Sequence, residues 1–136
     1  MADKLKLEIV TPEQRTYSEE VDYVELPGMM GDMGVYPNHV PLLTEIVPGQ
    51  LKVNRDGQEF LLAVGNGVVE ITGRSVSVLT DMAVKETDID EAAVEAAIER
   101  AQAAMSEKLS SEETAAVQAT LLKSLAQLKV KRRKRS

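Results

Sequence analysis

The chain has 136 residues and contains no cysteine, no tryptophan and one histidine. Without cysteine it can form no disulfide and no thiolate nucleophile, which excludes disulfide scaffolds and cysteine-dependent enzymes. The lone histidine, His39, has no second histidine with which to bind a metal, so we expect its ring to be hydrogen-bonded within its own loop. Three tyrosines and one phenylalanine are the only aromatic residues. The core is therefore expected to be aliphatic.

Long apolar runs and nucleotide-binding motifs are also missing. No stretch of 18 apolar residues is present, so no membrane-spanning helix is expected. The first ten residues, MADKLKLEIV, are too charged for a signal peptide. Neither GxxxxGK[ST] nor GxGxxG occurs, so the usual phosphate-binding loops are absent. We expect a soluble intracellular protein with no cofactor, no metal site and no catalytic residues.

Glycine and proline divide the chain into two parts. All eight glycines lie between Gly28 and Gly73, and all five prolines precede Gln50. In the first part, residues 4–9 alternate polar and apolar, and Asp56-Gly57 joins two apolar runs as in a β-hairpin. This pattern predicts an N-terminal antiparallel β-sandwich of short strands, domain 1–87.

The second part has helical periodicity and predicts an antiparallel two-helix hairpin, domain 88–136. Asp88 or Asp90 can cap the first helix, and Ser110 with Glu113 fits a capping box for the second. The predicted apolar stripe comprises Val94, Ala97, Ile98, Ala101, Met105, Val117, Leu121, Leu125 and Leu128. Much of the seam is alanine, from Ala92 and Ala93 to Ala116 and Ala119. Because alanine buries little area, we expect helices that persist while their packing changes.

Residues 26–51 are the most distinctive segment. They contain four of the five prolines and four of the eight glycines, interspersed with valine, leucine and isoleucine. Glycine and proline together specify tight turns, and the apolar residues distinguish this segment from a flexible linker. We interpret it as a long shaped loop that binds a partner, with Met29, Met30, Met33 and Tyr36 available for contact.

Charge is distributed unevenly along the chain. Residues 1–90 contain 7 Lys+Arg and 16 Asp+Glu, net −9, whereas residues 91–136 contain 9 and 6, net +3. Residues 123–136 hold seven basic residues and no acidic one. This end is either a solubilising tail or a binding segment. An acidic protein surface suits it better than nucleic acid, because the rest of the chain would repel phosphate and no Phe or Trp accompanies the basic run.

Two other function classes stay open at this point. One is a small β-domain that binds nucleic acid through its basic C-terminal helix. The other is a hydrolase using paired carboxylates, although no aromatic platform for a sugar accompanies them. The carboxylates of the β part fall at alternating positions, which a solvated face explains.

Five segments resemble the epsilon subunit of the F-type ATP synthase, in the family's order and spacing. The longest, residues 33–44 (MGVYPNHVPLLT), is similar to the family's Gly/Pro segment, and residues 48–53 (PGQLKV) to its continuation. Residues 63–71, 78–83 (VLTDMA) and 88–92 (DIDEA) match later elements, the last at the start of the helical hairpin. The resemblance covers nearly the whole chain.

The resemblance implies a noncatalytic rotor subunit with a β-sandwich and a regulatory α-hairpin. The sandwich would bind the gamma subunit, and a loop formed by Met30, Gly31, Asp32 and Met33 would face the membrane-embedded ring of c subunits. The hairpin would extend into the alpha and beta subunits of the catalytic head and slow ATP hydrolysis. The residues expected to face the beta subunit are Lys123, Lys129, Lys131, Arg132 and Arg133. The protein would be peripheral on the cytoplasmic face of the bacterial inner membrane.

The chain departs from the family pattern at several positions. Asn66 replaces a common glycine, and Asn38 stands where glycine or asparagine occurs; asparagine tolerates positive φ, so the same backbone is compatible with both. Some bacterial members bind ATP between the hairpin helices through an Asp-x-x-Arg pattern. Here Ala93 takes the arginine position and only Arg100 matches a further basic position, so we expect no ATP binding.

Overall fold

The computed structural model describes residues 3–135, with the main chain alone for residues 134 and 135. Residues 1, 2 and 136, which the predicted domain ranges include, lie outside the described residues. Ten strands are followed by a 3₁₀ turn and two helices. The strands are β1 (Leu5–Val10), β2 (Arg15–Val21), β3 (Tyr23–Gly28), β4 (Gly31–Val35), β5 (Leu42–Ile46), β6 (Gly49–Arg55), β7 (Gln58–Val64), β8 (Gly67–Ile71), β9 (Ser75–Thr80) and β10 (Ala83–Lys85). The 3₁₀ turn is Glu86–Asp88, and the helices are α1 (Glu91–Met105) and α2 (Ser111–Arg135).

The strands form the predicted β-sandwich. Their hydrogen-bonded order is β10-β7-β6-β3-β5-β8-β9-β1-β2, with β4 paired to β3. All pairs are antiparallel except β1 with β9, which is parallel. The core consists of alternate aliphatic side chains from the strands, such as Leu5, Leu7 and Ile9 of β1, with Tyr17 as its buried aromatic residue. The predicted aliphatic core is therefore confirmed.

The Asp56-Gly57 hairpin is also confirmed. Both residues have positive φ, 52° and 82°, as a two-residue type I′ turn requires. Arg55 pairs with Gln58 beside the turn, and the register continues to Gly49 opposite Val64. The turn therefore sets the register that places Leu51 and Leu62 in the core.

Residues 26–51 do not form the single long loop that the sequence predicted. They contain the end of β3, all of β4 and β5, and the first residues of β6. β4 folds back on β3, and β5 pairs with β8, a strand more than twenty residues later. Two glycines in β4 lower its intrinsic strand propensity, so its structure comes from tertiary pairing. The glycines and prolines mark the turns between short strands.

The two helices begin where the sequence predicted. The Asp90 side chain accepts a hydrogen bond from the Ala93 amide at 3.2 Å. Ser110 and Glu113 form a reciprocal capping box: the Glu113 carboxylate accepts from the Ser110 amide and the Ser110 hydroxyl from the Glu113 amide, both at 3.1 Å. The helical hairpin is confirmed, and its antiparallel helices pack against each other.

The hairpin also packs on the outer face of β6 and β7, which changes the predicted seam. Leu125 is 43 % exposed although it belonged to the predicted stripe, and Ala92, Ala93 and Ala116 are exposed. α2 uses one side for α1 and another for the sheet, so no single stripe describes it. The resulting second core comprises Leu61, Ala63, Ile89, Val94, Ile98, Ala126 and Val130.

Candidate partner-binding surfaces

The predicted loop site lies on the tight turn between β3 and β4. Gly28 pairs with Gly31 across the turn, and Met30 at its tip is fully exposed. Asp32, the second residue of β4, is exposed, whereas Met33 packs against the sandwich core. Gly31 has a φ of 116°, which favours glycine. Met30, Gly31 and Asp32 therefore form an accessible tip, and Met33 anchors it.

Two tyrosines support the base of this turn. The rings of Tyr23 and Tyr36 lie 4.5 Å apart, and the Tyr23 hydroxyl donates to Glu25 at 3.1 Å. Burial, helped by the hydrogen bond to Glu25, raises the pKa of Tyr23, so this hydroxyl stays protonated as a donor. A Cβ on Gly34 would collide with the Tyr23 ring. Gly34 therefore lets the ring lie against β4 and hold the turn in place.

The segment before β5 contains the lone histidine. The Nδ1–H of His39 donates to the Val40 carbonyl oxygen at 2.6 Å, which confirms the expected local hydrogen bond. Asn38 has a φ of 69° and donates to Asp3 at 2.9 Å, so it uses the expected left-handed conformation. Asn66 is not among the described residues with positive φ. The backbone at position 66 therefore does not require glycine, and asparagine can replace it.

An exposed apolar surface lies on the outer face of β5, β8 and β9. Val68 is 42 % exposed and pairs with Leu79, which is 54 % exposed. Leu43 on the neighbouring strand is 70 % exposed, and Val40, in the segment before β5, is 71 % exposed. We call Val40, Leu43, Val68 and Leu79 the apolar face. The sequence carried one signal of this surface that went unrecognised: Val68 and Leu79 occupy outward positions in alternating strands, where polar residues are usual.

Predicted basic residues of α2 form ion pairs with carboxylates of the same chain. Lys123 lies 2.9 Å from Asp81, Lys131 3.5 Å from Glu86, and Arg132 3.3 Å from Glu95. The structure does not bring the five together as one free basic patch. Lys129 and Arg133 are exposed. Lys123 and Lys131 thus attach α2 to the sandwich end and to the 3₁₀ turn in this conformation.

The boundary between the hairpin and the sandwich contains an unsatisfied polar atom. Gln50 lies on β6 opposite Ala63, which belongs to the second core beneath α2. Its side-chain carbonyl oxygen is buried and has no hydrogen-bond partner among the described residues. An unsatisfied buried acceptor costs about 1–3 kcal/mol. The hairpin therefore rests on the sheet through the apolar second core, with one unsatisfied polar atom at its boundary.

The groove between the helices is shallow. It measures about 260 Å³, and Arg100 is its one charged lining residue, together with Ala97, Ala101, Ala116, Val117 and Thr120. The expected lack of ATP binding stays a prediction. Among residues 3–135 no group of three or more His, Asp or Glu side chains is arranged to hold a metal ion. None of the helices in the same range is long and apolar enough to cross a bilayer.

Two family models match consecutive parts of the chain. Residues 4–86 match "ATP synthase, Delta/Epsilon chain, beta-sandwich domain", and residues 87–132 match "ATP synthase, Delta/Epsilon chain, long alpha-helix domain". The first model corresponds to the strands, and the second to the 3₁₀ turn and the two helices. Together they span nearly the whole chain.

Full-length relatives and solved structures agree with these models. The ATP synthase epsilon chain of Laribacter hongkongensis is 42 % identical over 127 residues, 92 % of this chain and 91 % of the relative. That of Acidithiobacillus ferridurans is 40 % identical over 135 residues, 99 % of this chain and 96 % of the relative. A chain of the Euglena gracilis mitochondrial ATP synthase (OSCP/F1/c-ring) has a TM-score of 0.75 at 21 % identity, covering 90 % of this chain and 78 % of its own, and so shows the fold. A chain of the Tetrahymena thermophila mitochondrial ATP synthase (central stalk/c-ring) has a TM-score of 0.59 at 13 % identity, covering 96 % and 98 %. The chain therefore belongs to the ATP synthase epsilon chain family, whose members are noncatalytic subunits of that complex.

Proposed function

We propose that this chain is a rotor subunit of the central stalk, coupling proton flow through the membrane ring to ATP synthesis in the catalytic head. The observation that carries the proposal is the apolar face, which lies on a rigid sandwich rather than on a mobile loop. Exposed contiguous apolar surface marks a protein–protein interface. A rotor subunit needs such an interface because it transmits torque only while it stays firmly bound to the neighbouring subunit.

The proposed partner for the apolar face is the gamma subunit. Val68 and Leu79 are direct cross-strand neighbours, and Leu43 lies diagonally from Val68, with Glu45 opposite Val68 and Glu70 opposite Leu43 at the edge of the surface. The backbone beneath them is fully paired, because β8 has β5 on one side and β9 on the other. Docking there would bury apolar side chains without leaving strand hydrogen bonds unsatisfied.

The proposed contact with the c-subunit ring is the tip of the β3–β4 turn. Met30 and Gly31 are exposed at the tip, and Asp32 supplies a negative charge that can bind polar loops of the ring. Met33 and the Tyr23–Tyr36 pair hold the turn to the sandwich. Asp32→Lys should weaken binding to an isolated c ring while leaving binding to gamma unchanged; equal loss of both would contradict this assignment.

The hairpin is proposed to be regulatory, with the observed packing as its folded state. The Gln50 defect lowers the stability of that state, whereas Lys123 and Lys131 stabilise it through their acidic partners. The Gln50 defect opposes the ion pairs and the second core, so the packed hairpin is less stable than those contacts alone would make it. We infer that release extends the hairpin into the catalytic head and slows ATP hydrolysis.

Release of the hairpin would also change which basic side chains of α2 are available to a partner. In the folded state, Asp81, Glu86 and Glu95 each pair with a cation of α2. In the extended state those cations, together with Lys129 and Arg133, would face an acidic segment of the beta subunit, with the alpha subunit beside it. The acidic partners on this chain and on beta would then compete for the same residues, which links hairpin position to inhibition.

We assign the two roles to two domains, 1–87 and 88–136. The first would hold gamma and the c ring, and the second would regulate hydrolysis without ATP bound to the chain. The protein would reach the cytoplasmic face of a bacterial inner membrane only through the complex. The ion pairs of Lys123, Lys131 and Arg132 weigh against the nucleic-acid alternative, because they reduce the positive charge available for phosphate.

Truncation after Asp88 tests the regulatory role. We expect the shortened chain to bind gamma with unchanged affinity and the assembled enzyme to hydrolyse ATP faster than with the full chain. Unchanged hydrolysis would refute inhibition and leave the rotor role standing. Loss of gamma binding would show instead that the hairpin supports the sandwich. Recovery of the gamma, alpha and beta subunits from a membrane fraction with the tagged full chain tests the assembly itself.

A further inference from the structure

Two short links lie side by side where α2 meets the sandwich. Gly65 and Asn66 form the β7–β8 link, and Asp81 and Met82 form the β9–β10 link. The Gly65 amide donates to the Met82 carbonyl oxygen at 2.9 Å, and the Asp81 amide donates to the Asn66 carbonyl oxygen at 3.0 Å. A Cβ on Gly65 would collide with the Asp81 carboxylate, so the two links are in close contact.

The β9–β10 link contacts one face of α2. Lys123 and Gln127 are four residues apart, so they lie on the same face of the helix. The Lys123 ammonium lies 2.9 Å from the Asp81 carboxylate, and the Gln127 side-chain amide donates to the Met82 sulfur at 3.4 Å. Because thioether sulfur is a weak acceptor, the ion pair is the stronger of these two contacts.

Thr80, which precedes this link, is a polar residue at a core position. In β9 the side chains of Val76 and Val78 are buried, and Thr80 is the next inward residue, with 5 % exposure. Valine would fit the same space and would bring no hydroxyl that needs a partner. A hydroxyl buried in this aliphatic row must be hydrogen-bonded to avoid a large cost, and the two links provide its partners.

The Thr80 hydroxyl connects the two links. It donates to the Asn66 carbonyl oxygen at 2.8 Å, with the Met82 carbonyl oxygen at 3.2 Å as a second acceptor. Its oxygen also accepts from the Met82 amide at 3.4 Å. The hydroxyl therefore holds the main chain of the residue after Asp81, while Asp81 itself is held by its amide.

The main chain of the links does not need this hydroxyl to satisfy its carbonyl groups. The Asn66 oxygen already accepts from the Asp81 amide, and the Met82 oxygen already accepts from the Gly65 amide. Removal of the hydroxyl would leave neither carbonyl oxygen without a donor, so the sandwich should still fold. What would be lost is a restraint on the conformation of the β9–β10 link.

We propose that Thr80 is a positioning residue for the folded hairpin, because its hydroxyl holds the β9–β10 link in the conformation in which Asp81 meets Lys123. Apolar contacts of the second core are non-directional, whereas an ion pair favours one position of α2 on the sheet. This inference concerns how the hairpin packs. It rests on the proposed regulatory function only where ATP hydrolysis is measured.

The test measures amide hydrogen exchange in the full chain, labelled with ¹⁵N. Thr80→Val keeps the shape and removes the hydroxyl, so protection of α2 amides should fall about fivefold while protection of β1 amides does not fall. Thr80→Ser keeps the hydroxyl and should retain α2 protection within about twofold. The matched control is Thr72→Val, which removes a hydroxyl from the turn at the other end of β9 and should change α2 protection by less than about twofold.

A double-mutant cycle with Lys123→Met separates positioning from a general effect on stability. Without the ammonium, Asp81 has no cation of α2 to meet, so Thr80→Val should lower α2 protection by less than about twofold in that background. Full additivity of the two substitutions would overturn the proposal. Unchanged α2 protection in Thr80→Val would also overturn it, as would an equal loss in β1 or an equal loss in Thr80→Ser.

The assembled enzyme distinguishes this inference from the proposed regulatory function. If the released hairpin inhibits, Thr80→Val should slow ATP hydrolysis as well as lower α2 protection. Lower α2 protection with unchanged hydrolysis would support the positioning role of Thr80 and refute inhibition by the released hairpin.

Discussion

The ammonium of Lys131 lies 3.5 Å from the Glu86 carboxylate and 3.4 Å from the Glu86 carbonyl oxygen. Glu86 begins the 3₁₀ turn that connects the sandwich to the hairpin, and Lys131 is near the end of α2. The C-terminal part of α2 is thus held by an ion pair to the turn that connects the hairpin to the sandwich. Both side chains are largely shielded from water, 25 % and 14 % exposed, so the pair is less screened than a surface salt bridge.

Glu86→Gln should loosen the folded hairpin. It removes the charge opposite Lys131 while keeping a side chain of the same shape. We expect a loss of about 1 kcal/mol, equivalent to about a fivefold fall in protection of α2 amides from hydrogen exchange. In the assembled enzyme, ATP hydrolysis should fall, because the released hairpin is the proposed inhibitory state.

The matched control for that prediction is Glu95→Gln. The Arg132–Glu95 pair joins α2 to α1 rather than to the 3₁₀ turn, and its side chains are 56 % and 48 % exposed. Exposed pairs contribute little, so α2 protection should change by less than about twofold. Equal effects of the two substitutions would show that the Glu86 pair has no special role in holding the hairpin.

Gln50→Met should have the opposite effect. Methionine fills a similar volume beneath α2 and has no carbonyl oxygen to leave unsatisfied. We expect the folded hairpin to gain about 1 kcal/mol, seen as about a fivefold rise in exchange protection of α2 and as faster ATP hydrolysis. Gln118→Met, at an exposed position of α2, is the control and should change neither. Lower protection in Gln50→Met would mean that the amide is needed in the interface.

Local signals predicted much of the fold. Asp56-Gly57, the Asp90 cap and the Ser110–Glu113 box each act within four residues, so their chemistry is complete in the sequence. β2, with the sequence RTYSEEV, was missed because its outward residues are polar or charged and only two of its seven residues are buried. The parallel pairing of β1 with β9 joins segments about seventy residues apart, and no local pattern encodes it.

The candidate surfaces were predictable to different degrees. The β3–β4 tip was located through the resemblance to the epsilon family, which pointed to the loop around Asp32, but Met33 faces inward by strand alternation. The basic residues of α2 were identified, whereas their acidic partners were not. Asp81 and Glu86 lie far from α2 in sequence, and only the folding of the hairpin onto the sheet brings them together.

Acid should loosen the start of α2 before the rest of the helix. The backbone hydrogen bond from Ser110, with the side-chain hydrogen bond as a smaller cause, lowers the pKa of Glu113 below its ordinary value of 4.5. The stabilisation is therefore complete above about pH 4.5 and is lost as pH falls through the lowered pKa. The Ser110 and Glu113 amides should lose exchange protection in that window. Glu113→Gln keeps an acceptor without titrating, so it should abolish the pH dependence; Glu112→Gln should leave it intact.

Val68→Asp should disrupt binding at the apolar face and leave the rest of the molecule intact. Val68 is 42 % exposed, so the substitution leaves the core intact, but it places a charge beside Leu79 where gamma is proposed to dock. Burying an unpaired carboxylate in an interface is strongly unfavourable, and we expect at least about a hundredfold loss of affinity for gamma by titration calorimetry. Asn54→Asp adds the same charge on the outer face of β6 and should change affinity by less than about twofold. Equal binding by the two variants would move the gamma interface to another face, whereas a lower melting temperature in Val68→Asp alone would attribute the loss to unfolding.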